Sequence, residues 1–218
     1  MILIPVKDLR GAKQRLSGVL SQEQRTLLAE AMLADALAAV AGWKNHPPVA
    51  LVTSYPAAIE LARECGFEII EDRENPGETG AIAMATQVAI ERGARETLVL
   101  PGDMPLVTSA ELEAVYAAAP AEGVVLVPAA DGRGSNAVLR RPANLIPLRF
   151  GNDSFVPHRA AARATGKPVV VLELKGIGLD IDTPADLAAL LALPTRSCAQ
   201  LLLERWKIAD RLSHAQQA

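Results

Sequence analysis

Two cysteines, Cys65 and Cys198, are all that the 218 residues contain. Two thiols cannot build a disulfide scaffold or a cysteine-based zinc site, and both read as ordinary reduced thiols. Aromatic residues are scarce, at 3 %, so a core has to be made mainly from Ala, Leu, Val and Ile. An excess of positive charge is also missing. The 22 Lys and Arg are outnumbered by 25 Asp and Glu, for a net charge of −3, which argues against a general nucleic-acid partner needing a basic face. No apolar run reaches membrane-spanning length, so no membrane partner is expected. The start, Met1 to Lys7, has neither a basic segment ahead of its apolar run nor a small-residue cleavage site. It reads as a buried strand rather than a secretion signal, and the expected compartment is the cytoplasm. There is no Ser-His-Asp or Cys-His set, and the G-x-x-x-x-G-K-[ST] phosphate loop is absent.

What is present is apolar residue in quantity, 50 % of the chain. It comes as short runs alternating with helical patterns: Ile2–Val6, Val49–Thr53, Phe67–Ile70, Thr97–Leu100, Val124–Pro128, Asn136–Leu139 and Val169–Leu174. Runs rich in Val and Ile and bounded by Gly or Pro suit buried strands. Helix-start signals stand between them. Ser21 with Gln24 and Thr108 with Glu111 fit capping boxes, and Thr183 precedes a proline at a first helical position. Gly66 and Gly93 are stop signals. The alternation predicts an α/β fold, a three-layer α/β/α arrangement on a mostly parallel sheet. No helix fits between Val124 and Leu139, so an antiparallel hairpin there should make the sheet mixed. The expected division is residues 1–194 as the catalytic domain and 195–218 as a C-terminal helical tail. An amphipathic helix over Cys198–Leu212 would pack on the body or on a second subunit, making a homodimer possible. Residues 214–218 should fray.

In open α/β sheets ligands bind beyond the carboxyl ends of the strands. After the first run, Lys7, Arg10, Lys13 and Arg15 place four cations in nine residues around Gly11. Such a loop can wrap a triphosphate, or it can be a solvated basic loop. After Thr97–Leu100 comes Pro101-Gly102-Asp103-Met104-Pro105. An acid there can ligate Mg²⁺ or cap its own turn. Asp180 and Asp182 follow the last run. If that segment is extended they point the same way and can share a divalent ion with Asp103, unless Asp182 is only a cap and Asp180 only surface. Gly132-Arg133-Gly134-Ser135-Asn136 and Phe150-Gly151-Asn152-Asp153-Ser154 offer hydroxyls, N–H groups and a helix start at Ser154. They suit a small acid's phosphate and carboxylate, or a hairpin turn and a plain helix cap. His158, one turn into that helix, reads as a packed or partly exposed histidine, with contact to substrate as the alternative.

Taken in order, the motifs resemble the 2-phospho-L-lactate guanylyltransferase family of coenzyme F-420 biosynthesis. They are Pro5-Val6-Lys7 with Ala12-Lys13-Gln14-Arg15-Leu16, Leu100–Leu106, Gly132–Asn136, Phe150–Phe155 and Leu179–Pro184. The resemblance runs from about Met1 to Leu191. It implies a nucleotide-diphospho-sugar-transferase-like fold and transfer of GMP from GTP to a small phosphorylated carboxylic acid, with pyrophosphate released. The acids used in the family are 2-phospho-L-lactate, phosphoenolpyruvate and 3-phospho-D-glycerate. It further implies Pro5, Lys7, Lys13, Arg15, Gly77, Thr79, Gly80, Pro101 and Gly102 at the nucleotide, with Lys13 and Asp103 catalytic. Asp103, Asp180 and Asp182 would hold Mg²⁺, and Ser135, Asn136, Gly151 and Ser154 would bind the acceptor acid. The chain departs from the family at Asn75–Gly80, where many members carry Gly-Leu-Asn, and this bears on the base contacts. The alternatives are a sugar-phosphate or molybdenum-cofactor-type nucleotidyltransferase, or a non-catalytic nucleotide-binding regulator.

Overall fold

A computed structural model describes residues 1–72, 77–151 and 153–215. Asn75 and Pro76 of the divergent segment, Asn152, and residues 216–218 of the expected frayed end lie outside that set. Among the described residues, seven strands form one sheet: β1 (Ile2–Pro5), β2 (Val49–Val52), β3 (Glu68–Ile70), β4 (Thr97–Val99), β5 (Gly123–Pro128), β6 (Ser135–Arg141) and β7 (Val169–Val171). Their order is β3-β2-β1-β4-β6-β5-β7. Each expected run is a strand, though β7 is shorter than expected because the chain enters a helical turn at Lys175.

Only β6 runs against the rest. It is antiparallel to both β4 and β5, whereas the other pairs are parallel. The predicted hairpin is therefore real, and it inserts its second strand between β4 and β5. The reversal fixes the site. The start of β6, at Ser135, comes to the same sheet edge as the carboxyl ends of β1, β4 and β5.

The helices are α1 (Gln22–Ala41), α2 (Pro56–Glu64), α3 (Glu78–Glu91), α4 (Ser109–Ala117), α5 (Phe155–Ala164), α6 (Lys175–Gly178), α7 (Pro184–Leu191), α8 (Cys198–Arg205) and α9 (Ile208–Ala215). They cover both faces of the sheet. Ile2 and Ile4 of β1 pack with Leu33 and Leu37 of α1 and with α2 and α4. Leu3, pointing the other way, packs with Ile82 and Ala85 of α3 and with Phe155 of α5. Strands buried on both faces need continuous apolar sequence, which is why the runs were legible. Ser21, Thr108 and Thr183 all close capping boxes, and Gly66 and Gly93 take the positive φ of helix stops.

The end of the chain differs from expectation. The region read as one helix is two, because the backbone turns at Lys207 with φ 53°. No glycine or proline marks that turn. Ala199, Leu203, Ile208 and Leu212 bury against Leu28, Ala29 and Met32 of α1 and Leu187 and Leu190 of α7. Asp35 of α1 accepts hydrogen bonds from the Cys198 and Ala199 N–H groups, an acid at a helix N-terminus. Of the apolar residues expected on that helix, Ile208 and Leu212 are thus covered within the chain, whereas Leu202 is half-buried and Leu201 is exposed. No described helix is long and apolar enough to cross a membrane.

Candidate active site

Two cavities open along the carboxyl edge of the sheet and share a wall. One, of about 410 Å³, is lined by Pro5, Lys7, Lys13, Pro101, Gly102, Asp103, Asp182 and Glu78. The other, of about 380 Å³, is lined by Arg15, Ser135, Asn136, Gly151, Ser154 and Asp180, again with Glu78, Pro101, Asp103 and Asp182. Most residues expected at the nucleotide thus face the first cavity, and all four expected at the acceptor acid face the second. Arg15 falls in the second, on the Asp182 side. From the segment at α3 it is Glu78 that reaches the crevice, and Gly77, Thr79 and Gly80 line neither cavity.

Lys13 occupies the junction. It sits between two 3-10 turns, Leu9–Gly11 and Gln14–Leu16, with φ 55° and ψ 43°. A left-handed lysine costs about 1 kcal/mol, so tertiary contacts hold it there. Its Nζ lies 2.8 Å from Asp103 Oδ2 and 2.8 Å from Asp182 Oδ1. The lysine side chain is 8 % exposed, against 34 % and 41 % for the two carboxylates. Burial alone would push the ammonium toward neutrality. Attraction to Asp103 and Asp182 more than reverses that and holds it above the ordinary lysine value. Arg15 approaches the other Asp182 oxygen at 3.8 Å.

The carboxylates are placed by backbone. Asp103 follows Gly102, whose backbone rests on α1. A side-chain carbon at that glycine would meet Leu33 Cδ1 at 2.7 Å. The Ile181 N–H reaches the Asp103 carbonyl at 3.3 Å, tying the two acidic loops together. Asp186, in the first turn of α7, accepts from the Asp182 and Thr183 N–H groups, a positioning role not read from the sequence. Asp180 accepts from Asn136 Nδ2 at 3.0 Å, and the same amide donates to the Ile177 carbonyl. Burial first, then the charges of Asp103 and Asp182, push the Asp180 carboxyl up, against the pull of the Asn136 hydrogen bond. Burial and Asp103 likewise push Glu78 up, while Lys7 and Lys13 lower it. Among the described residues, no group of three or more carboxylate, His or Cys side chains is gathered closely enough to hold a metal ion alone.

The far wall carries Asp131, Arg133 and Asp153 at its exposed rim and neutral side chains where it is buried. Ser154 stands at the N-terminus of α5 but does not cap it. Its Oγ instead accepts the Ser135 N–H at 2.9 Å. The Phe155 N–H of α5 reaches the Arg133 carbonyl, and Arg133 pairs with Asp153 on the surface. His158 is buried, as expected of a packed histidine, and contacts Ser135 Oγ at 2.9 Å. The i, i+4 spacing from Ser154 was the one signal pointing His158 toward the site.

The chain matches the family described as "Guanylyl transferase CofC like" over residues 1–217. It is 35 % identical over 188 residues to a phosphoenolpyruvate guanylyltransferase of Sphaerobacter thermophilus, covering 86 % of this chain and 90 % of that protein. It is 32 % identical over 189 residues to a 2-phospho-L-lactate guanylyltransferase of Methanothermobacter thermautotrophicus, covering 87 % and 82 %. Among solved structures, one described as a nucleotide-diphospho-sugar transferase from Desulfovibrio desulfuricans superposes with a TM-score of 0.78. It shares 19 % identity and covers 97 % of this chain and 95 % of its own. At that identity the likeness speaks for the fold, which is the nucleotide-diphospho-sugar-transferase type that the sequence motifs imply. The shared wall of acids and lysine between two cavities is what joining a nucleotide to a second anion requires, and with the match over residues 1–217 the chain belongs to the CofC-like guanylyl transferase family of nucleotidyltransferases.

Proposed function

We propose that the protein transfers GMP from GTP to a small phosphorylated carboxylic acid and releases pyrophosphate, as a step toward coenzyme F-420 in the cytoplasm. The observation that carries the reading is Lys13, held 2.8 Å from both Asp103 and Asp182 where the two cavities meet. GTP would enter the cavity of Lys7 and Lys13, and the acid that of Ser135, Gly151 and Ser154. Candidate acids are phosphoenolpyruvate, 2-phospho-L-lactate and 3-phospho-D-glycerate.

The donor chemistry suits Mg²⁺. Asp103 and Asp180 are hard oxygen donors close enough for Asp103 to raise the Asp180 carboxyl. Magnesium is commonly held by one or two carboxylates together with substrate phosphates, which suits a site too sparse to hold an ion alone. Asp103, Asp180 and Asp182 would be its protein ligands, and the ion would withdraw charge from the phosphates.

The chain's own residues then do three things. The Lys13 ammonium, kept charged by its neighbours, lowers the repulsion between two anions brought together. The Ser135 and Ser154 hydroxyls orient the acceptor. Backbone ties from Ile181 to Asp103 and from Asp182 to Asp186 fix the acids. A phosphate oxygen of the acceptor forms a bond to the α-phosphorus of GTP, and the bond from that phosphorus to the β-bridging oxygen breaks toward pyrophosphate. A phosphate monoester has a second pKa of about 6, so the attacking oxygen is already ionised at neutral pH and needs no general base. Incubation with Mg²⁺, GTP, ATP or CTP, and each phospho-acid tests this. Pyrophosphate and a GMP-bearing product by mass are expected with GTP and one of the acids. Pyrophosphate with sugar phosphates alone would overturn it.

A further inference from the structure

His158 is 1 % exposed, and the mechanism above gives it no task. Its two ring nitrogens have defined partners. Nε2 lies 2.9 Å from the backbone nitrogen of Arg149. A backbone N–H can only donate, so Nε2 accepts and carries no hydrogen. The neutral ring must then carry its hydrogen on Nδ1, which lies 2.9 Å from Ser135 Oγ. Ser135 Oγ is therefore an acceptor toward the protein. Its own hydrogen has no partner among the described residues and is left for the cavity it lines. Ser154 repeats the logic, since its Oγ accepts the Ser135 N–H. Burial first, and then the charge of Arg140, push His158 down to about 4, so the ring is neutral at pH 7.

We propose that His158 is a positioning residue for the acceptor acid: it fixes the Ser135 hydroxyl as a donor aimed into the second cavity and ties the Arg149–Gly151 segment to the same wall. The Ser135 and Ser154 hydroxyls then both present hydrogens to the cavity, matching anionic phosphate or carboxylate oxygens and not a ligand hydroxyl hydrogen at those two points. Phe150, whose ring centroid lies 5.3 Å from that of His158, packs against the imidazole and keeps the segment in place. The inference rests on the acceptor reading above for the identity of the ligand.

Two substitutions separate the contacts. His158→Asn can keep a donor near the Nδ1 position, whereas His158→Gln keeps an acceptor near Nε2 and loses the donor to Ser135. In the full chain with GTP, Mg²⁺ and the acid the wild type uses, His158→Gln should raise KM for the acid about tenfold and leave KM for GTP unchanged. His158→Asn should stay within about threefold of wild type. Ser135→Ala should lose as much as His158→Gln, and the double variant should be no worse than Ser135→Ala alone. Equal effects of Asn and Gln, equal shifts for both substrates, or additive losses in the double variant would overturn the proposal. Nitrogen NMR of the wild-type imidazole needs no variant to fold. It should show hydrogen on Nδ1 at pH 7, and a hydrogen on Nε2 would overturn the proposal. A wild type inactive with every phospho-acid would refute the transferase reading instead, while the NMR result still decides the tautomer.

Discussion

On the side of the crevice proposed for the nucleotide, Lys13 is held by two carboxylates that lie 90 and 169 residues away in the chain. On the side proposed for the acceptor, Ser135, Ser154 and His158 are joined by neutral hydrogen bonds across at most 23 residues. The first wall is charged, and its acids are a third or more exposed. Its ion pairs can exchange partners when a triphosphate arrives, because water already screens them. In the second cavity the buried Ser135, Ser154 and His158 are fixed by hydrogen bonds within the chain that leave the two hydroxyl hydrogens for the cavity, so this part is shaped before a ligand comes. On the proposed function, the charged side would neutralise a large change in charge and the other would select a shape.

Substitutions should separate the two walls. The largest effect is expected at Asp103, which lines both cavities and contacts Lys13. Asp103→Ala should cut turnover about 10³-fold in a pyrophosphate-release assay, with full activity telling against a carboxylate role there. Lys13→Ala comes next. It removes the charge that offsets Asp103 and Asp182, and should weaken GTP binding by tenfold to a hundredfold, on the order of 1–3 kcal/mol, by calorimetry. Its cost in folding stability should stay near about 1 kcal/mol, because the two acids are partly solvated. An unchanged Kd would return the basic loop to a solvated surface.

A smaller effect should follow pH. His158 is held down to about 4 in the folded chain, below the ordinary histidine value of 6.5. Above pH 6.5 the group is neutral in both states and stability does not depend on it. Between 6.5 and 4 the unfolded chain gains a proton that the folded one does not. Stability should therefore fall with pH by up to about 1.4 kcal/mol per unit from this group. Denaturant titrations of wild type and His158→Asn across that window measure the difference, and parallel curves would remove His158 as the cause. The smallest effect is expected at Arg133, whose pair with Asp153 is exposed on both sides. Arg133→Ala should leave turnover and the thermal midpoint unchanged within error. A marked rise in KM for the acid would instead give that pair, which lines the rim of the second cavity, a direct part in holding the acid.

Much of this was legible along the chain. β1 is readable because Ile2, Leu3 and Ile4 are all buried, on alternate faces. The three aspartates stand where strand ends put acids. What was not legible depends on distant partners. That β6 slots between β4 and β5 is decided by pairing Leu98 with Leu139, which no local pattern records. The bridging by Lys13 requires a left-handed lysine without a glycine to announce it. The turn at Lys207 hid for the same reason. Ser154 matched a helix cap by residue type, yet its hydroxyl serves the start of β6 instead.

The lone reversed strand has a consequence for how new acceptors could arise. In the parallel part of the sheet, each loop at the active edge leads into a helix that the core depends on. The turn before β6 leads only into the adjacent strand of a hairpin. Residues 129–134 are tied to the body through the Ala130 N–H on the Gly178 carbonyl and the Arg133 carbonyl on the Phe155 N–H, so the side chains between those ties can change chemistry while the crossovers around them stay intact.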